Sequence, residues 1–301
     1  AGMGLPLPAG RCAQRESTGP ACPPGVTRRN IADTATAEHF VDPASPATVA
    51  PAGASVDSAA GLPRARESLL DMARVYDATV LAMAHLAEPG EAGNHIIRIQ
   101  HYVRALALKL KSSPAYGRSM SEHRIALLFR ASPLHDIGNS GVPDRILLKP
   151  GPLTPEEIEV IRTHPALGRD AIDQIRSTAG VSTEFLEVAR DIANGHQQRS
   201  DGSGYPQGLR GEAIPMAARV MAIADAYDAL TSDRVYRPDV AHDKAVQQIF
   251  QERAAHFDPD MVDAFIEIQD EFAAIAERFK DTDSDFQQKI DYMAKAIAES
   301  P

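Results

Sequence analysis

The 301-residue chain carries 31 Lys and Arg against 41 Asp and Glu, a net charge of -10, which excludes broad electrostatic capture of DNA, RNA or anionic lipid because phosphate neutralisation needs surplus positive charge. Hydrophobic residues make up 44%, the composition of a globular protein, and no run of about 18 apolar residues is present to span a membrane. Cys12 and Cys22 are the only cysteines; their spacing allows a disulfide with each other but does not fit a zinc site.

Residues 1–62 are rich in Ala, Pro, Gly, Ser and Thr, with prolines scattered from Pro6 to Pro51 and no sustained apolar period. Such a segment buries too little to offset its ordering entropy, so a disordered tail or linker is expected. Arg11, Arg15 and the prolines interrupt any signal-peptide core, and a cytoplasmic protein is expected. From Pro63 the pattern turns helical. Leu69, Leu70, Met72, Ala73, Val75, Tyr76, Val80, Leu81 and Met83 recur at three and four, predicting a helix over 64–88 whose face packs on a neighbour. The breadth of that face also predicts a homodimer, and Pro89-Gly90 ends the helix. A second helix is read from Glu91 to Lys111, with Ile96, Ile99, Tyr102, Val103, Leu106 and Leu110 on one stripe. A third runs from Ser121 to Leu134. Thr154-Pro155-Glu156-Glu157 is a helix start, with Thr154 as N-cap, Pro155 in the first turn and Glu157 closing a capping box. Further helices are read at 165–177, 184–195, 215–231, 241–254 and 259–279, with a last one near 284–298. The Gly-rich stretch Asp201 to Gly211 suits neither helix nor strand, and strand-like alternation is nearly absent. The fold class is therefore all-α.

Several polar residues stand out against this background. His135-Asp136 follows the apolar run Ile125 to Phe129 and meets Gly138. An isolated His-Asp pair is most simply a surface histidine beside a capping aspartate, but this setting favours burial. Adjacent imidazole and carboxylate can serve one centre, and a bridging carboxylate is what a two-metal site needs. Glu91 and His95, at i and i+4 of the second predicted helix, point the same way. His164 follows the capped helix, and His196 ends the 184–195 helix. Asp225 and Asp228 lie one turn apart in an otherwise apolar helix, where an aspartate is costly unless it is paired or holds a cation. Oxygen and imidazole ligands suit Fe, Mn, Zn or Mg better than a thiolate-seeking metal.

The order of these segments is specific. Glu91-Ala92-Gly93-Asn94-His95, His135-Asp136-Ile137-Gly138, Leu147-Leu148-Lys149-Pro150-Gly151, His164-Pro165, Asp201-Gly202-Ser203-Gly204-Tyr205-Pro206, Ile223 to Arg234 and His256-Phe257-Asp258-Pro259 together resemble the HD-GYP phosphodiesterase family over roughly residues 65 to 270. The resemblance implies a helical bundle of the HD-domain type over 63–280; a helical extension over 281–301 is expected beyond the match. It implies hydrolysis of cyclic di-GMP to pGpG or GMP with one or two divalent ions per chain, Fe or Mn foremost. His95, His135, Asp136 and Asp225 would hold the first ion, and Asp136 would bridge to a second held by His164 and His196. Glu91 matches the glutamate that supports a further ion in some members. Tyr205, Arg234 and Arg237 would grip the substrate, and the Gly-Tyr-Pro loop would offer a surface to a diguanylate cyclase-type protein.

Four positions, in three places, depart from the family pattern. Asn139 stands where a lysine is usual, Gln197 and Gln198 replace a histidine and a glutamate after His196, and Ser200 replaces an aromatic residue. A neutral amide cannot supply the lysine's charge, and Gln197 is a weaker ligand than imidazole. Two readings stay open: a phosphodiesterase with weakened activity, and an inactive cyclic di-GMP receptor or docking module of the same fold.

Overall fold

The computed structural model describes residues 58–88, 94–149, 151–232 and 240–292 (286, 288 and 289 excepted), with side chains from Arg66 onward. Helices α1 (Ser58–Ala87), α2 (His95–Lys111) and α3 (Glu122–Ala131) are followed by two 3-10 turns, Ser132–Leu134 and Ile137–Gly141. Then come α4 (Asp144–Leu147), α5 (Pro155–Ile161), α6 (His164–Ala179), α7 (Glu184–Gly195) and α8 (Met216–Thr231). Helices α9 (His242–Gln251), α10 (Pro259–Glu267) and α11 (Gln269–Arg278) complete the order. No strand occurs among the described residues, only an isolated bridge between Arg253 and Phe257. The all-α expectation holds.

The core is built around α2. Ile99, Tyr102, Val103, Leu106 and Leu110 are essentially inaccessible, with α3, α8, α10 and α11 packed around them. Tyr102 stacks on Phe272 at 4.7 Å, while Tyr227 and Phe265 meet Phe272 edge-on, the offset and T-shaped geometries that aromatic quadrupoles favour. Helix α8 is lined with alanines, and a Cβ on Gly195 at the end of α7 would sit 2.6 Å from the Ala218 side chain. Small residues here let the two helices that carry His196 and the two aspartates come close.

Side-chain caps fix four of the helix starts. Thr154 and Glu157 form the expected capping box ahead of α5, and Ser121, Thr183 and Asp258 cap α3, α7 and α10 with their side-chain oxygens. Other boundaries differ from the sequence reading. Helix α1 starts at Ser58, six residues ahead of the expected start at 64. Helix α3 stops at Ala131, because Pro133 lacks the N–H a continuing α-helix needs and a 3-10 turn takes over. The 241–254 helix ends at Gln251, and Ala254 takes a left-handed conformation. The 259–279 helix breaks at Ile268 into α10 and α11. The first fifty-seven residues of the expected tail, Glu91–Gly93, Pro150, Arg234, Arg237 and most of the 284–298 helix lie outside the described residues.

The apolar face of α1 divides in two. Val80, Ala84 and Ala87 are buried, whereas Leu69, Leu70, Met72 and Val75 stand more than half exposed. Among the described side chains, the neighbour expected along the whole helix is therefore met only by its C-terminal half.

His256 gives a pH-dependent test of this fold. Its ring stacks on Phe257 at 4.0 Å, and burial, helped by the Arg199 charge, pushes its pKa down to about 4. The unfolded chain then binds the proton first, so stability is intact above the ordinary histidine pKa of about 6.5 and falls as pH drops toward 4. His256→Gln is expected to remove roughly 2–3 kcal/mol of the stability lost between pH 7 and pH 4.5, measured as urea midpoints of both proteins at the two pH values.

Candidate metal centre

Six side chains from separated parts of the chain converge at the helix ends. Glu88 directly follows α1, His95 opens α2, and His135 with Asp136 sits between the two 3-10 turns. His164 opens α6, and His196 closes α7. Gly138 makes part of this possible. A Cβ there would lie 1.9 Å from the His164 carbonyl oxygen, so only glycine lets the turn after Asp136 lie against the start of α6.

The groups form two adjoining clusters, Asp136 with His164 and His196, and Glu88 with His95 and His135. Asp136 Oδ1 is 3.2 Å from Nε2 of His164 and 3.2 Å from Nε2 of His196, and these two nitrogens are 3.2 Å apart. In the other cluster, His95 Nε2 is 3.2 Å from Glu88 Oε2. His135 joins the two. Its ring meets His95 and His196 at 5.7 and 5.5 Å between centroids, and its Nε2 lies 4.0 Å from Asp136 Oδ2.

The hydrogen bonds fix what these atoms can do. His164 Nδ1 donates to the Ile161 carbonyl at 2.7 Å, His135 Nδ1 to Ser132 at 3.1 Å, and His196 Nδ1 to Ile192 and Ala193 at 3.1 Å. His95 Nδ1 donates to Asp228 Oδ2 at 2.7 Å. Carbonyls and carboxylates only accept, so in the neutral rings the proton resides on Nδ1 and each Nε2 presents a lone pair. Both Glu88 oxygens and Asp136 Oδ1 are buried without a hydrogen-bond donor among the described residues. Lone pairs and carboxylate oxygens facing one another repel unless a proton or a metal cation lies between them. The donor set of imidazole nitrogen and carboxylate oxygen, each histidine braced through its other nitrogen, fits divalent metal ions.

Electrostatics point the same way. Burial opposes the Asp136 charge, but positive charge on His135, and then protons on His164 and His196, hold its pKa well below the usual carboxylate range; a cation in the place of those protons would act in the same direction. His196 is raised, burial being overcome by Asp136 and then Asp225. Asp136 is therefore an anion at neutral pH.

The remaining candidates fall around this centre. Asp225 is half-buried on α8; its field reaches His196 and Tyr205, but it makes no ion pair or hydrogen bond among the described residues. Asn139 is buried and donates from Nδ2 to Asp136 Oδ2 at 3.0 Å, so it braces the carboxylate without adding charge. Tyr205 lies edge-on to His164 at 6.4 Å, with the Arg162 guanidinium over its ring at 5.4 Å. Burial, then the Asp136 charge, pushes its hydroxyl up to about 12. The Gln197 side chain is half-buried and makes no hydrogen bond among the described residues. Gln198 instead holds the signature loop, donating to Gln207 Oε1 at 2.6 Å and accepting from the Leu209 N–H at 2.9 Å; a carboxylate there could not make the first bond. Glu91, Arg234 and Arg237 lie outside the described residues. Glu88, which the sequence reading passed over, is the carboxylate that faces His95 Nε2.

The family model described as "HD domain" matches residues 69–261, nearly two thirds of the chain and all the segments that carry these groups except part of α1. The chain belongs to the HD-domain family. Among its relatives, this HD-domain chain is 46% identical over 216 residues to a Vibrio cholerae protein named "Probable cyclic di-GMP phosphodiesterase", covering 71% of this chain and 49% of the relative. It is also 46% identical over 207 residues to a second V. cholerae protein, a cyclic di-GMP phosphodiesterase, covering 68% and 42%. The HD-domain chain thus spans just under half the length of these relatives, and it is of the HD-GYP type. A solved cyclic GMP-AMP specific phosphodiesterase of V. cholerae superposes with a TM-score of 0.45 at 17% identity, over 75% of this chain and 60% of that one. Among the described residues, no helix of the HD-domain chain is long and apolar enough to cross a membrane.

Proposed function

We propose that this chain is the hydrolytic part of a metal-dependent phosphodiesterase that opens cyclic di-GMP to pGpG or GMP, with Fe or Mn as the metal. The observation that carries this reading is Asp136 Oδ1, buried, without a donor and 3.2 Å from two imidazole nitrogens. Bound ions would supply Lewis acidity at the phosphoryl oxygens and bring the pKa of water from 15.7 to roughly 7. The chain's own groups do the rest. Asp136 stays ionised, so a single carboxylate can serve both clusters. Asn139 fixes its second oxygen. Tyr205 keeps its proton at neutral pH and offers a hydroxyl donor at the edge of the centre. Arg234 and Arg237, by motif, and Arg162, by its stack on Tyr205, are the cations offered to the phosphates, where a planar guanidinium can bind two oxygens at once. Asp225 completes the ligand set by motif and by its field at His196.

A second reading, a cyclic di-GMP receptor without turnover, is favoured by the uncharged Asn139 and the idle Gln197 side chain. The two separate in one experiment. The purified chain with Mn²⁺ or Fe²⁺ is expected to convert cyclic di-GMP to pGpG or GMP, with cyclic GMP-AMP as comparator. Gln197→His and Asn139→Lys are each expected to raise turnover by about 10–100-fold, the range in which supporting groups tune metal sites. Nucleotide binding without product, unchanged in both variants, would leave only the receptor reading. The exposed stripe Leu69, Leu70, Met72 and Val75 supports a homodimer seam along α1, and the Gly-Tyr-Pro loop is offered as the surface for a cyclase-type protein.

A further inference from the structure

Behind His95 lies a buried charge network that the proposed hydrolysis does not use. Asp228 is 1% exposed. It accepts from His95 Nδ1 at 2.7 Å, from Arg98 Nε at 2.6 Å, from Arg98 Nη2 at 3.1 Å and from the Ser232 hydroxyl at 3.0 Å. Arg98 Nη2 also donates to Ser232 Oγ at 2.9 Å. The remaining Arg98 nitrogen, Nη1, turns away from α8 toward the chain after α11, donating to the Phe279 carbonyl at 3.0 Å and to Asp281 Oδ2 at 3.1 Å. Asp281 Oδ1 accepts from the Asn94 backbone N–H at 3.3 Å, and Asn94 Nδ2 donates to the Lys280 carbonyl at 3.3 Å. Asn94 directly precedes His95. The contacts therefore close a ring: His95, Asp228, Arg98, Asp281, Asn94 and back to His95, joining segments almost two hundred residues apart.

A merely structural salt bridge is the plain alternative. Buried ion pairs are weak evidence for stability, since well-packed apolar residues often serve as well. What apolar residues could not do is hold a metal-facing imidazole by its far nitrogen. A carboxylate on Nδ1 fixes both the tautomer and the ring orientation of a histidine ligand. Here that carboxylate is itself clamped by a guanidinium fork, whose third nitrogen is held by the segment after α11.

We propose that Phe279–Asp281 is a latch for the metal centre, acting through Arg98 and Asp228 to keep His95 aimed at Glu88, so that cation occupancy of the Glu88–His95–His135 cluster depends on the seating of the chain after α11. Arg98 and Asp281 are positioning residues in this account. The inference rests on reading that cluster as a cation subsite, and the test separates the two. Co²⁺ is titrated into the full chain and into His95→Ala, Asp281→Asn and Arg98→Lys, following visible absorption and the His95 ring nitrogens by NMR. Asparagine has one carbonyl oxygen where Asp281 uses two, and lysine lacks the fork, so both changes loosen the latch while conserving size or charge.

His95→Ala should abolish one of two cobalt sites, which identifies the subsite. Asp281→Asn and Arg98→Lys should weaken that same site by about 10–100-fold, leave the other unchanged, and shift or broaden the His95 Nδ1 signal. If His95→Ala removes neither cobalt site, the subsite reading falls and the latch with it. If the subsite stands but the two variants bind cobalt like the parent, or lose both sites equally, the latch alone is overturned. Should Arg98→Lys not fold, Asp281→Asn decides the matter by the same criteria.

Discussion

Asp136→Ala is expected to lower phosphodiester hydrolysis by roughly 10³-fold or more. Several kcal/mol of charge stabilisation by the ions would be lost with the carboxylate that serves them, and each 1.36 kcal/mol is tenfold in rate. The geometry makes this the most damaging single change in the centre. Asp136 is the carboxylate in contact with both His164 and His196 and lies within 4.0 Å of His135. Removing it leaves the His164 and His196 imidazoles without the carboxylate that lies 3.2 Å from both. Metal analysis and turnover should fall together. Asn139→Ala, which removes only the brace on Oδ2, should cost much less, about 10–100-fold.

Asp228→Ala carries the largest expected effect on stability, about 3–5 kcal/mol, because it leaves the Arg98 guanidinium buried without its main counter-charge. A double change that replaces both Arg98 and Asp228 with apolar residues should recover much of that loss, since no uncompensated charge then remains. Urea unfolding of the single and double variants measures both. The pH dependence has a definite sign. Burial opposes the Asp228 charge, but His95 and then Arg98 outweigh it and hold its pKa well below the usual carboxylate range. The stability it contributes is thus present above the ordinary aspartate pKa of about 3.9 and is lost as pH falls toward the lower folded value. The gap between parent and Asp228→Ala should narrow in acid below about pH 4.

Most of the helical architecture was legible in the sequence because its signals are local: apolar period, the Thr154 capping box and the Gly-rich loop. Boundaries set by tertiary context were less so, as with the break at Ile268. The apolar stripe of α1 read as a single packed face, yet period alone cannot say how far along a helix a neighbour extends. His135 and Asp136 stood out because they follow an apolar run, and His164 and His196 because each stands at the boundary of a predicted helix. Glu88 did not, since a glutamate at the end of a helix next to Pro89 looks like an ordinary solvated residue, and only its orphaned oxygens in three dimensions mark it. Asp228 was visible as a costly buried charge, but its partners Arg98 and Asp281 lie far away in sequence and carry no local pattern.

Anomalous diffraction from crystals grown with Mn²⁺, collected above and below the manganese edge, tests the central claim directly. Two peaks are expected, one bounded by Asp136, His164 and His196 and one by Glu88, His95 and His135. No peak within coordination distance of Asp136 Oδ1 in metal-saturated crystals would contradict the account.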